Sequence, residues 1–169
     1  MGLILMFITL VVVSAYTDIP QLEPIRKQIE SFKSGRTIPD LSVGEAGEIG
    51  DLAITLVEYE LTDSWIDNYD VKHKAPEGAK YLFIHIKVEN IGKVRETLPG
   101  YTDFSLWYAG AEMPYSQACW YTRSYPSYIG RTLKYPGYSD EGWLSFEVPA
   151  GIELEDTTLE IKGLTWRLG

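Results

Sequence analysis

The chain has 169 residues, of which 45% are hydrophobic and 23% charged, and it carries a formal net charge of -9. This composition is ordinary for one globular domain with a substantial core, and the acidic balance disfavours nucleic acid as a partner. A single cysteine, Cys119, excludes an internal disulfide and a structural zinc site built on thiolates.

The N-terminus opens with an uncharged apolar run at residues 3–13, which indicates export. The run is shorter than the roughly 20 residues that span a bilayer. Ser14 and Ala15 are small residues of the kind that a signal peptidase reads, so cleavage is expected before Tyr16. We expect residues 1–15 to be a signal peptide or membrane anchor of an extracytoplasmic protein. The alternative is a buried strand, because the run is also rich in β-branched residues.

One short helix is predicted at residues 17–35. Apolar residues recur there at helical spacing, namely Leu22, Ile25, Ile29 and Phe32. Pro24 near the start and Gly35 just past the end are typical helix boundaries. A polar connector follows, so residues 16–40 are interpreted as helix and linker, with a first short strand expected at residues 41–43.

From Asp51 onward the hydrophobic period is two, which predicts strands. The segment DLAITLVEYEL changes its apolar face, which indicates a β-bulge near Leu56. Residues 62–79 have the composition of a polar loop. The next segment, KYLFIHIKVENIG, predicts a central strand with one apolar face and one solvated face. The apolar face is Leu82, Ile84, Ile86 and Val88, and the solvated face includes His85, Lys87 and Glu89.

A hairpin is predicted around Ala109 and Gly110, followed by a long aromatic segment at residues 115–138. Another strand should bury Leu144, Phe146 and Val148. In the last predicted strand, Gly163 shifts the apolar parity. Several short strands with turns between them predict an all-β domain at residues 41–169, an immunoglobulin-like antiparallel β-sandwich preceded by one short N-terminal helix.

Four segments resemble an immunoglobulin-like domain family of unknown function: VGEAGEIGDLAITLVEYE, GAKYLFIHIKVENIGK, DFSLWYAGAEMPYS and EGWLSFEVPAG. The residues that fit the family pattern are Gly78, Asn90, Gly92, Asp103, Phe104, Gly142, Phe146, Val148 and Pro149. Its members are exported or lipid-anchored proteins of archaea and bacteria, and some carry the automatic name of a telomeric repeat-binding factor. The resemblance implies a fold and a location, and it brings no catalytic residues.

The polar loop contains a weak candidate for a calcium site. Its oxygen-bearing side chains are Asp63, Asp67, Asn68 and Asp70. Carboxylate and amide oxygens suit calcium, but the spacing lacks the central Gly and distal Glu of an EF-hand loop. A solvated acidic loop is therefore the favoured interpretation, and no metal or other cofactor is expected.

The aromatic segment is the candidate binding surface. Its proposed binding residues are Trp120, Tyr121, Arg123, Tyr125, Tyr128, Arg131 and Tyr135. Tyr, Trp and Arg are favoured at interfaces. The alternative is that the segment folds back and its rings close the core.

No catalytic pattern is present: the two histidines, His73 and His85, lack metal-ligand spacing, and GxSxG and phosphate-binding loops are absent. We therefore expect a non-catalytic binding or structural module of the cell envelope, whose partner is a protein or glycan. A carbohydrate-binding or calcium-dependent adhesion module is the main alternative, and a small secreted enzyme is a weaker one.

Overall fold

The computed structural model describes residues 40–169. The expected signal segment and the helix at residues 17–35 lie outside this range. The strands within it are β1 Ala46–Ile49, β2 Leu52–Thr62, β3 Ser64–Ile66, β4 Lys72–Lys74, β5 Ala79–Asn90, β6 Glu96–Thr97, β7 Ser105–Tyr108, β8 Ala111–Met113, β9 Leu133–Lys134, β10 Ser139–Pro149, β11 Thr157–Ile161 and β12 Leu164–Arg167. The same residues include 3-10 turns at Tyr101–Asp103, Ala118–Trp120 and Leu154–Asp156.

Two four-stranded antiparallel sheets form the body of the domain. The first has the order β1-β2-β5-β10 and the second the order β12-β11-β7-β8. Their inner faces share one core, to which Ile84 and Phe146 contribute from the first sheet and Leu106 and Trp166 from the second. The predicted β-sandwich is therefore confirmed. The strands β2, β5 and β10 lie in the first sheet and β7, β11 and β12 in the second, so β5 and β7, which are consecutive among the sandwich strands, lie in different sheets. This distribution is compatible with strands A, B and E facing strands C, F and G of an immunoglobulin domain.

The predicted inner face of β5 is confirmed. Leu82, Ile84, Ile86 and Val88 are all fully buried. The bulge expected near Leu56 is also present, because the pairing with β5 shifts between Leu56 and Glu58. That shift lets Tyr59 and Leu61 pack against the same core as the first half of β2.

The turns and short strands agree with the sequence analysis only in part. Ala109 and Gly110 form the expected hairpin turn, both with positive φ. Lys162 and Gly163 form a second such turn, so the predicted last strand is in fact the hairpin of β11 and β12. Instead of a strand at residues 41–43, Leu41 makes a single bridge to β12. The polar loop at 62–79 contains the two-stranded ribbon of β3 and β4.

Candidate binding cleft

The outer face of β5 is not solvated along its whole length. Phe83 is fully buried beneath the aromatic segment, where Tyr125 stacks on it with ring centroids 4.0 Å apart. His85, expected in solvent, stacks on Trp143 at 4.8 Å. A second apolar cluster of Trp65, Phe83, Ala118 and Cys119 therefore lies outside the sandwich core. Strand alternation predicts which side chains share a face, but not which distant segment folds over it.

The aromatic segment does not form one binding surface. Tyr128, expected among the binding residues, is 1% exposed and donates a hydrogen bond to the Pro99 carbonyl. Arg131 has its guanidinium against Thr102, with a 3.1 Å hydrogen bond. Tyr135 lies next to Arg95, at another place on the surface. Of the seven expected binding residues, Trp120 and Tyr121 line surface depressions, and Arg123 contacts the rim of one of them.

The polar loop at residues 62–79 and the aromatic segment meet in the fold, a contact that no local sequence pattern indicates. The backbone amide of Asn68 donates a 2.7 Å hydrogen bond to the backbone carbonyl of Tyr121. Arg123 donates a 3.4 Å hydrogen bond from Nη2 to the Asn68 carbonyl. These two contacts join the ribbon of β3 and β4 to a segment more than fifty residues away in the chain.

The junction creates a cleft of about 460 Å³, here called the ribbon cleft. Its lining residues are Trp65, Asp67, Asn68, Tyr69, His73 and Tyr121. Two of the rings are largely exposed, since Tyr69 is 86% and Tyr121 54% accessible. A shallower depression of about 300 Å³ adjoins it through Tyr121 and adds Tyr101, Gln117 and Trp120. The cleft volume lies within the range of small-molecule sites.

One side of the ribbon cleft is held in place by stacking and hydrogen bonds among the side chains of Trp65, His73 and Asp67. The indole of Trp65 stacks on the imidazole of His73, with centroids 4.3 Å apart and planes 14° apart. His73 Nε2 lies 2.8 Å from Asp67 Oδ2, while Asp67 Oδ1 accepts hydrogen bonds from the amides of Tyr69 and Val71. The bond to His73, followed by the backbone amides, lowers the pKa of Asp67 below its ordinary value. The carboxylate thus orders both the imidazole and the loop.

The weak calcium candidates do not converge. Asp67 uses both oxygens within the loop, while Asp63 is exposed and lies 4.0 Å from Lys80. Asp70 turns the loop with a positive φ of 64°. Among residues 40–169, no three side chains of His, Cys, Asp or Glu come together as a potential metal site.

Cys119 is buried beside the cleft and does not line it. Burial raises the pKa of its thiol to about 12, so the reactive thiolate is suppressed at neutral pH. The residues that line the ribbon cleft include no serine, threonine or cysteine. The pair of His73 and Asp67 therefore has no serine, threonine or cysteine nucleophile among its neighbours in the cleft.

The sequence analysis did not identify three of the cleft residues, Trp65, Tyr69 and His73, as binding candidates. It interpreted their segment as a polar loop. One signal was available, since Trp65 and His73 are large rings within an otherwise charged stretch. Pairing of the two strands places them opposite each other. Cross-strand aromatic pairs of this kind stabilise a short ribbon.

Residues 40–169 form a β-sandwich domain with a surface cleft that two distant segments of the chain build together. The chain belongs to the family described as "Domain of unknown function (DUF4352)", whose model matches residues 41–167. The family of unknown function expected from the sequence is thereby confirmed, whereas the archaeal source and the telomeric name are not. No curated protein shows significant similarity to the chain.

Two solved bacterial structures share the fold. The yjhA protein from Bacillus subtilis is 18% identical, with a TM-score of 0.53, over 70% of this chain and 79% of that chain. A conserved hypothetical protein from Bacillus anthracis is 9% identical, with a TM-score of 0.58, over 76% and 94% of the two chains. At these identities the similarity shows the fold alone. In residues 40–169, no helix has the length and apolar character needed to cross a membrane.

Proposed function

We propose that this chain is a non-catalytic module of the cell envelope, and that it binds an envelope protein or glycan in the ribbon cleft. The apolar run at residues 3–13 supports a location outside the cytoplasm, secreted or attached through that run. The absence of serine, threonine and cysteine among the residues that line the ribbon cleft supports binding without catalysis. The fold itself is neutral on function.

The observation that carries the proposal is the hydrogen bond between Asn68 and Tyr121. A sandwich needs only short turns between its strands. In this chain two connections are much longer, namely the ribbon of β3 and β4 and the aromatic segment, and the hydrogen bond holds them together. The join leaves exposed rings, Tyr69 and Tyr121, on both sides of a concave site. Exposed rings grouped around a cleft are typical of recognition surfaces.

The cleft lining favours a glycan over a protein segment. Sugar rings present flat faces of C–H bonds that pack against aromatic rings, and hydroxyls that bond to amides. The exposed rings of Tyr69 and Tyr121 offer such faces, and the exposed residues Asn68 and Gln117 offer side-chain amides. Acidic side chains around the loop disfavour an anionic ligand, so a neutral sugar fits best.

The test is a glycan array together with binding to isolated envelope fractions, using the full chain and two matched variants. Tyr121→Ala removes a ring from the cleft, and Ile129→Ala removes an apolar side chain of similar exposure, 56%, that does not line it. Binding that is lost only in Tyr121→Ala supports the cleft, and the array distinguishes a glycan from a protein ligand. Equal loss in both variants, or in neither, contradicts it. Cell fractionation and mass spectrometry of the mature N-terminus test the location.

A further inference from the structure

A second surface lies at the opposite end of β5 from the cleft. The fold brings together residues 91–95, with the sequence IGKVR, and residues 133–138, with the sequence LKYPGY. We call these two segments the tip patch. The side chain of Asn90 bonds to the backbone of Gly92, Val94 and Lys134. Its backbone bonds to Gly137 and Tyr138.

The tip patch exposes large apolar side chains on this fixed backbone. They are Ile91 at 44%, Val94 at 60%, Leu133 at 55%, Tyr135 at 54% and Tyr138 at 65% exposure. None of these residues is needed to close the sandwich core, because none belongs to it. A grouped set of exposed apolar side chains marks an interaction site more often than a bare monomer surface.

The charge of the tip patch is opposite to that of the whole chain. Its eleven residues include Lys93, Arg95 and Lys134 and no Asp or Glu, whereas the chain carries a net charge of -9. Lys134 is balanced, because it lies 3.9 Å from Asp140 and opposite Glu96. Lys93 and Arg95 are exposed and make no ion pair within the described residues. Three carboxylates border the patch, Asp51 beside Gly92 and both Glu96 and Asp140 beside Lys134, so its cationic character rests on Lys93 and Arg95.

We propose that the tip patch docks on the surface of a bilayer that contains anionic lipids. The exposed aliphatic side chains would enter the boundary between headgroups and acyl chains, and the two free cations would face the phosphates. Tyrosine suits this boundary, because its ring is apolar and its hydroxyl is polar. Arg95 already lies over the ring of Tyr135, 3.9 Å from the ring centroid, so the guanidinium and ring are held at the same surface. This surface is independent of the ribbon cleft.

The test labels Val94→Cys in the full chain with an environment-sensitive fluorophore. The native Cys119 is 2% exposed, and the labelled unsubstituted chain gives its background. The matched control is Tyr69→Cys, an exposed position in the ribbon cleft. Vesicles of phosphatidylcholine, with or without phosphatidylglycerol, are then added. We expect a blue shift at position 94 with anionic vesicles and none at position 69.

Replacing Lys93 and Arg95 with Ala should weaken partitioning onto the anionic vesicles about 30-fold, since each cation near such a surface contributes about 1 kcal/mol. High salt should have a similar effect. If the protein sediments with vesicles while the label at 94 remains in water, the attachment is elsewhere and the proposal fails. It also fails if positions 94 and 69 respond equally, or if the chain does not bind the vesicles.

Discussion

The phenolic hydroxyl of Tyr128 donates a 2.8 Å hydrogen bond to the carbonyl of Pro99, in the interior of the domain. The ring also packs edge-on against Phe104, with centroids 5.9 Å apart. Burial raises the pKa of the Tyr128 hydroxyl, which keeps it protonated as a donor. This part of the aromatic segment therefore stabilises the fold and is not available to a ligand.

Tyr128→Phe should lower the free energy of unfolding by about 1–3 kcal/mol, because the Pro99 carbonyl loses its buried donor. Urea denaturation measures this loss. Tyr138→Phe is the control, because Tyr138 is 65% exposed and should have almost no effect. Equal stability of Tyr128→Phe and the unsubstituted protein would show that water replaces the lost donor.

The two faces of β5 should respond differently to truncation. Ile84→Ala removes a fully buried side chain and should cost about 2–5 kcal/mol. His85→Ala removes the ring stacked on Trp143 and should cost about 0.5–1.5 kcal/mol. Lys87→Ala, farther along the same outer face, should stay within about 0.5 kcal/mol. If His85→Ala were as mild as Lys87→Ala, the stack would contribute nothing to stability.

Asn90 should be among the most sensitive polar positions. It is fully buried, and its amide nitrogen donates to the carbonyls of Val94 and Lys134. Asn90→Ala leaves both carbonyls without this donor, and a loss of about 2–4 kcal/mol is expected in thermal or urea unfolding. Asn90→Asp should be no milder, since a carboxylate would face two carbonyl oxygens. Near-normal stability of Asn90→Asp would contradict the assigned orientation of the amide.

Asp67 should make the stability of the ribbon depend on acid pH. Its pKa is lowered in the folded state, chiefly by the bond to His73, so the unfolded chain binds the proton more readily. The stabilisation is complete above the ordinary value of 3.8 and is lost as the pH falls through the lower folded value. Chemical denaturation across this acid range should therefore show a steeper loss for the unsubstituted protein than for Asp67→Asn. Parallel curves would contradict this linkage.

Calcium should not bind tightly to the loop at residues 63–70. Both oxygens of Asp67 already bond within the protein, and binding a cation would break these contacts. Titration calorimetry should show no affinity in the micromolar range. A micromolar site that disappears in Asp67→Ala would restore the calcium-dependent adhesion hypothesis.

Much of the fold could be predicted because strand alternation is a local property. The inner face of β5 and the turn at Ala109 followed from residue type and spacing. The cleft could not, because it depends on a contact between Asn68 and Tyr121 that no local pattern encodes. The burial of Phe83 has the same cause. Alternation places Phe83 on the outer face of β5, which was expected to be solvated, and the ring that covers it, Tyr125, comes from a distant segment.

The length of β5 sets a distance between the two surfaces. Trp65 of the ribbon cleft packs against Tyr81, near the start of the strand, and Asn90 of the tip ends it. Nine residue steps of about 3.3 Å place these positions roughly 30 Å apart. Electrostatic potentials decay over about 8 Å at physiological ionic strength. In a molecule docked by its tip, the cleft would lie several decay lengths beyond the negative lipid headgroups and sample ligands under bulk ionic conditions.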